Sequence, residues 1–362
     1  MISPLEITEL LECILRFVDH WEDLRSTAVV NHAWAQSSQA RLFSHIKLTG
    51  RHQPPRLLAT LEDSQHLASY IKNLELRALD PILLQSFGNI PFPSLDTLTI
   101  HRPSVHDGDA AVAIQRLLSN PGLRSVTINC YFRRRADFLR IWDGCSENIR
   151  HLSYIESNGA TGTSQLEEGG SDQRRRIKLE SFGTSNTSEQ TRLWLQDARC
   201  PFDISGITAF QFSRRIDPQF AELLAPAMES IQILSTYHPT QIHDISQLTG
   251  LKELTFHISP PFTRHFQVIY TIRRESRVYL GTIRFRLLRL PAEEVLELGQ
   301  QLSELVREFP SLNLVWISVR WALAHGIVES KCFRDLEGKI RLHWDLGSDV
   351  RDSEGWNRRI TL

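Results

Sequence analysis

The side chains best suited to chemistry in this 362-residue chain are scattered along it. His238 and His243, around Thr240-Gln241, come nearest to a histidine cluster, but no third ligand stands at a spacing that would close a metal site. Glu167-Glu168 and Glu293-Glu294 are adjacent carboxylates. The first pair sits in a Gly/Ser/Thr-rich stretch, and the second follows Pro291 at the start of an apolar-periodic run, where acidic residues favour a helix's first turn. The chain contains no Gly-x-Gly-x-x-Gly, phosphate loop, Gly-x-Ser-x-Gly elbow or His-Glu-x-x-His. The sequence therefore predicts no catalytic residue, no metal and no cofactor, and an enzyme on an α/β domain is the outlying reading. Binding chemistry remains. Arg77, His101, Asn129, His257, Arg284, Arg286, Trp316 and Arg320 flank inward-facing apolar positions, and Arg284, Arg286 and Arg320 gather around Trp316 toward the C-terminal end. Guanidinium forks match carboxylate or phosphate groups, and Arg and Trp are enriched where binding energy concentrates. These are the candidate substrate-binding residues; a plain solvated strand face is the alternative.

Positioning them falls to a repeated phrase, Leu-x-x-Leu-x-Leu with Ile, Val, Phe or Tyr substituting. It reads as Ile71-Leu74-Leu76, Leu95-Leu98-Ile100, Leu123-Val126-Ile128 and Ile149-Leu152-Tyr154. Weaker copies are Leu179-Phe182-Thr184, Ile207-Phe210-Phe212 and Met228-Ile231-Ile233. Leu251-Leu254-Phe256, Leu280-Ile283-Phe285 and Leu312-Val315-Ile317 complete the series. The last two apolar letters are two residues apart, the strand period, so they share one face. Helix-like runs lie between copies: Ala111–Leu118 after Asp107 and Asp109, Ala136–Ile141, Gln219–Leu224 and Pro291–Phe309. The copies recur roughly every 21 to 32 residues, which overlaps the leucine-rich-repeat range. The closing asparagine of regular leucine-rich repeats is not seen at matching positions. The expected fold class is α/β: an irregular solenoid with parallel strands on its concave face and helices outside. A non-repetitive α/β domain with Leu-rich parallel strands is the competing arrangement. Ser157–Arg176 reads as a flexible loop, and Ile340-Arg341-Leu342-His343-Trp344 as a last strand before a polar tail.

The first fifty residues differ in kind. Ile7, Leu10, Leu11, Ile14, Leu15 and Val18 fall at helical spacing. Trp21-Glu22-Asp23-Leu24 starts a second short element and Asn31-His32-Ala33-Trp34 leads into a third that ends at Leu42-Phe43. A helical module of about 45 residues buries little of its own surface and usually needs a disulfide, a metal or a protein partner. This stretch resembles the F-box family. Pro4-Leu5-Glu6-Ile7 is similar to the family's start, Ile14-Leu15-Arg16-Phe17-Val18 to its first helix end, and Asp23-Leu24 to its acidic-Leu step. Val29-Val30-Asn31-His32-Ala33-Trp34 and Leu42-Phe43 match its central motif and close, with Asn31-His32 replacing the usual Cys-Arg and Pro4 about one helical turn too far from Ile14. The resemblance implies a substrate-receptor subunit of a Skp–cullin–F-box ubiquitin ligase. Its N-terminal module would dock a Skp-type adaptor on the cullin core through Pro4, Ile14, Leu15, Val18, Leu24, Val29, Val30, Trp34, Leu42 and Phe43, some of which must instead pack the module. The repeats would hold a target protein. The alternative is a leucine-rich-repeat scaffold whose N-terminal helices only cap the solenoid.

Composition agrees with a protein-binding chain. A formal net charge of −1 gives no global reason to expect nucleic acid or an anionic membrane as partner. No apolar run approaches the roughly 18–20 residues that span a bilayer. The amphipathic, acidic N-terminus is unlike a signal peptide. Cys13, Cys130, Cys145, Cys200 and Cys332 contain no Cys-x-x-Cys pair, which points to reduced thiols in cytoplasm or nucleus. The expected domains are a helical module over residues 1–50 and a repeat domain over 51–362.

Overall fold

The computed structural model describes residues 8–18, 20–49, 52–105, 108–132, 135–156, 176–185, 189–212, 218–236, 248–258, 266, 269, 279–287, 295–309, 311, 312, 314–320, 340–345 and 359–361. The chain divides into two compact units, Met1–Ile177 with Gln196–Phe202, and Lys178–Leu195 with Asp203–Leu362. The N-terminal helices fall in the first of these units. Nearly all of the loop expected at 157–176 lies outside the described residues.

The first unit opens with three helices, α1 (Thr8–Leu15), α2 (Trp21–Thr27) and α3 (His32–Ser44). Asn31 starts α3 because its side-chain oxygen accepts from the Trp34 N–H at 3.0 Å, satisfying one of the donors a helix start leaves open. Strand β1 (His45–Leu48) follows directly, then α4 (Gln53–Asp63) with proline in its first turn, a 3₁₀ turn (Gln65–Tyr70) and β2 (Asn73–Arg77). Helix α5 (Pro81–Gly88) is capped by Asp80, which accepts from Leu83 N–H at 2.9 Å. Next come β3 (Thr97–Val105), α6 (Gly108–Leu118), β4 (Ser125–Phe132), α7 (Arg135–Arg140) and β5 (His151–Glu156). All five strands run parallel, in chain order across the sheet. Helix α5 can lie close to α6 because Gly88 has no side chain: a Cβ there would stand 2.8 Å from Ala113 Cα.

After the two-residue β6 (Ile177–Lys178), the second unit contains β7 (Ser181–Thr184) and α8 (Glu189–Gln196). The two-residue β8 (Phe202–Asp203), β9 (Ala209–Phe212), α9 (Pro218–Leu224) and β10 (Ile233–Thr236) come next. They are followed by β11 (Glu253–Ile258), β12 (Thr282–Leu287), α10 (Val295–Glu308), β13 (Leu314–Arg320) and β14 (Ile340–Asp345). Strands β7, β9, β10, β11, β12, β13 and β14 pair in that order, all parallel. The final β15 (Arg359–Thr361) pairs antiparallel with β14.

Registry puts equivalent letters of the phrase side by side. Leu74, Leu98, Val126 and Leu152 form one row, and Leu76, Ile100, Ile128 and Tyr154 the next. In the second unit Phe182, Phe210, Leu234, Leu254, Ile283 and Val315 form the corresponding row. All of these are buried, and each large side chain so removed from water stabilises by about 1.5–3 kcal/mol. Two readings change. Ile233 is exposed, so the copy near 230 is Ile231-Leu234-Thr236, with buried Thr236 in the slot a hydrophobe usually fills. Phe43, Ile46 and Leu48 supply a further copy that forms β1, in register with Leu74 and Leu76.

A repeated hydrogen-bond pattern sets the entry to β3, β4, β5 and β11, among others. Asp96 and Thr97 N–H both donate to Lys72 O, at 2.8 and 2.9 Å. Arg124 and Ser125 repeat this on Asp96 O, Arg150 and His151 on Arg124 O, and Lys252 and Glu253 on Gln232 O. Just before the phrase stands a residue that permits close approach. A Cβ on Gly122 would sit 3.0 Å from Leu95 O, while Ser230 and Ser311 instead donate their hydroxyls to Ile207 O and Leu280 O. Asn120 adds a side-chain amide bond to Phe92 O and accepts from Gly122 N–H. These contacts satisfy turn backbone of neighbouring copies without an asparagine in the closing position of the phrase.

Candidate interaction surfaces

The apolar stripe of α1 is wider than its packing. Leu11 and Leu15 are buried, as is Leu24 of α2. Leu10, Ile14 and Phe17, on the adjoining helical spacing, face solvent, Phe17 at 86% exposure. Trp21 opens α2 exposed, with the Arg25 guanidinium 5.6 Å from its ring centroid in a cation–π contact. Val29 and Val30, in the turn before α3, are also exposed, Val29 at 84%. Among the described residues nine large hydrophobes are exposed, and six of them lie within the first thirty residues. Isolated exposed hydrophobes are ordinary; their concentration on three short helices makes this a candidate surface.

The expected docking residues therefore separate. Ile14, Val29 and Val30 are exposed; Val18, Trp34, Leu42 and Phe43 are half-buried; Leu15 and Leu24 pack inside the module. Pro4 lies outside the described residues. Leu10, Phe17 and Trp21 join the exposed set, although nothing in their residue types distinguishes them from Leu11 and Leu15. The module is held by α1 and α2 packing on α3 and by Arg41, which donates from Nη2 to Arg16 O at 3.1 Å.

The strand-face candidates fall into both units. In the first, Arg77, His101 and Asn129 are in register on β2, β3 and β4, with Arg77 paired to Glu75 and His101 half-buried. In the second, Arg284 stands in register between Thr255 and Trp316, and Arg286 between His257 and Ser318. Trp316 is in register with Arg341, and Arg320 with Asp345. Arg284 engages Glu253 with both arms of its fork: Nε to Oε1 at 2.8 Å and Nη2 to Oε2 at 3.2 Å. Sequence reasoning passed over Glu253 and Arg341; the strand registry is what places them beside the others.

Among the described residues no group of three His, Cys, Asp or Glu side chains is placed to hold a metal ion. No described helix is long and apolar enough to cross a membrane. Burial pushes the Cys145 and Cys200 thiols up to about 12 and raises Cys130 further, so these are packing groups with little thiolate character. Cys13 is exposed on α1. No protein-family model matches the chain, and no curated protein matches it.

Proposed function

We propose that the chain is a substrate-receptor subunit of a Skp–cullin–F-box ubiquitin ligase. The N-terminal helices dock a Skp-type adaptor, and the parallel strands of an irregular leucine-rich-repeat array hold a target protein. The work is positional: the target's lysines are kept at high local concentration near a ubiquitin thioester carried by another subunit, with no bond chemistry in this chain. The observation that carries the reading is the exposed cluster Leu10, Ile14, Phe17, Trp21, Val29 and Val30 on a module that resembles the F-box. Cytoplasm or nucleus is the compartment this role requires.

One observation favours a scaffold with capping helices. Helix α3 runs straight into β1 and packs on the 3₁₀ turn, and Ser44 O accepts from Lys72 N–H at 3.0 Å. The module is therefore joined directly to the first edge strand of the sheet.

Capture of a Skp-type adaptor by the full chain separates the two. Phe17→Ser and Val29→Ser should each weaken capture by about tenfold, the worth of one large apolar side chain at the interface, while the melting temperature stays put. Absence of capture by the unaltered chain, or capture indifferent to both substitutions, favours the scaffold.

A further inference from the structure

Glu253 and Arg284 form a fork-to-carboxylate pair on a strand face that carries more positive than negative charge. By registry, alternate positions of β11, β12, β13 and β14 lie on the face opposite buried Leu254, Phe256, Ile283, Phe285 and Val315. That face includes Arg284, Arg286, Arg320 and Arg341, against the acidic Glu253 and Asp345. The chain as a whole is close to neutral, so these strand positions are locally enriched in arginine. Trp316 stands in register between Arg284 and Arg341.

We infer that this face is a docking surface for a carboxylate-rich segment of a partner protein, and that Glu253 occupies the Arg284 fork until that segment displaces it. The inference deepens the target-recruiting role proposed above by naming the chemistry of the target. Charge complementarity selects an acidic partner. The Arg284 fork already donates to both oxygens of a carboxylate, at 2.8 and 3.2 Å, and an incoming carboxylate would take over this same geometry. The Arg284 side chain is 46% exposed, so an incoming group can reach it without opening the core. Exchange of one carboxylate for another leaves the number of ion pairs unchanged, so binding depends on several arginines acting together and falls with salt.

The test uses the full chain and a fluorescein-labelled peptide of alternating glutamate and glycine, read by anisotropy. The peptide should bind, more weakly as ionic strength rises, and Arg284→Gln and Arg341→Gln should each reduce affinity. Glu253→Gln should tighten binding by roughly two- to fivefold, the worth of one exposed ion pair. Glu222→Gln, which removes an exposed carboxylate from α9, should leave it unchanged. The inference is overturned if Glu253→Gln does not tighten binding, if Glu222→Gln tightens it equally, or if a phosphoserine peptide or a single-stranded oligonucleotide is preferred. Adaptor capture measured on the same variants keeps the two readings apart: its loss with peptide binding intact removes the ligase role alone, and the reverse removes this surface alone.

Discussion

The hydroxyls of Thr27 and Ser38 lie 2.8 Å apart and join α2 to α3. Thr27 has a single proton, which it donates to Leu24 O at 2.9 Å, so Ser38 is the donor between the two. Ser38 is fully buried, and no water competes for this bond. Ser38→Ala should lower the unfolding free energy by about 1 kcal/mol. A shift of the urea midpoint with unchanged slope would register it; no shift would mean that Thr27 is satisfied without Ser38.

Two glycines make opposite predictions for the same substitution. Gly122→Ala pushes a methyl to 3.0 Å from the backbone oxygen of Leu95, which cannot swing aside, and should cost about 1–3 kcal/mol. Gly206 has open space around its missing Cβ and an ordinary backbone conformation, so Gly206→Ala should stabilise by about 0.4–1 kcal/mol. Melting temperatures of the two variants should move in opposite directions.

Asp137, in the first turn of α7, is buried, and its Oδ2 has no hydrogen-bond partner among the described residues. An orphaned buried carboxylate oxygen is costly even at a helix start, where the dipole favours it. Asp137→Asn keeps the shape but leaves an unpaired amide in place of the unpaired oxygen, so stability should change by less than about 1 kcal/mol. A larger fall in the melting temperature would show that the carboxylate serves the fold.

Thiol accessibility gives a prediction with two readouts. Of Cys13, Cys130, Cys145 and Cys200, only Cys13 should react promptly with an aromatic disulfide reagent, the others only after addition of denaturant. Cys145 and Cys200 ionise near 9 when unfolded and near 12 when folded, because burial disfavours the thiolate. The unfolded state therefore loses these protons first. Their contribution is fully present below pH 9 and is lost as pH rises from 9 toward 12. Alkaline titration of Cys145→Ala with Cys200→Ala should show a smaller decline across that window than the unaltered chain.

Where burial follows a short periodic phrase, the fold was readable from the letters. Leu98, Ile100, Val126 and Ile128 sit two residues apart, and both members of each pair are buried. The reading slipped at Ile233 because the true third letter, Thr236, is polar by type yet fully buried, and apolarity was the only cue available. Strand β1 is hard to see in the letters because Leu42-Phe43 also reads as the close of the helical module, which hides the place of Phe43 at the head of Phe43-Ile46-Leu48. On α1, Leu10 and Leu11 are chemically alike, and only the position of α3 decides that Leu11 turns inward. Glu253 was invisible as a partner of Arg284 because the two are neighbours through sheet registry alone, with a long connection between them.

The doubled N–H donation that recurs at strand entries in both units has an evolutionary consequence. Because Lys252 and Glu253 clasp Gln232 O exactly as Asp96 and Thr97 clasp Lys72 O, the pitch between adjacent copies is dictated at that one peptide unit and not by how much chain intervenes. Outer connections are then free to grow, shrink or lose their helix through insertion and deletion while the inner rows stay aligned. A lineage built this way would drift quickly in length and letters without forfeiting its architecture.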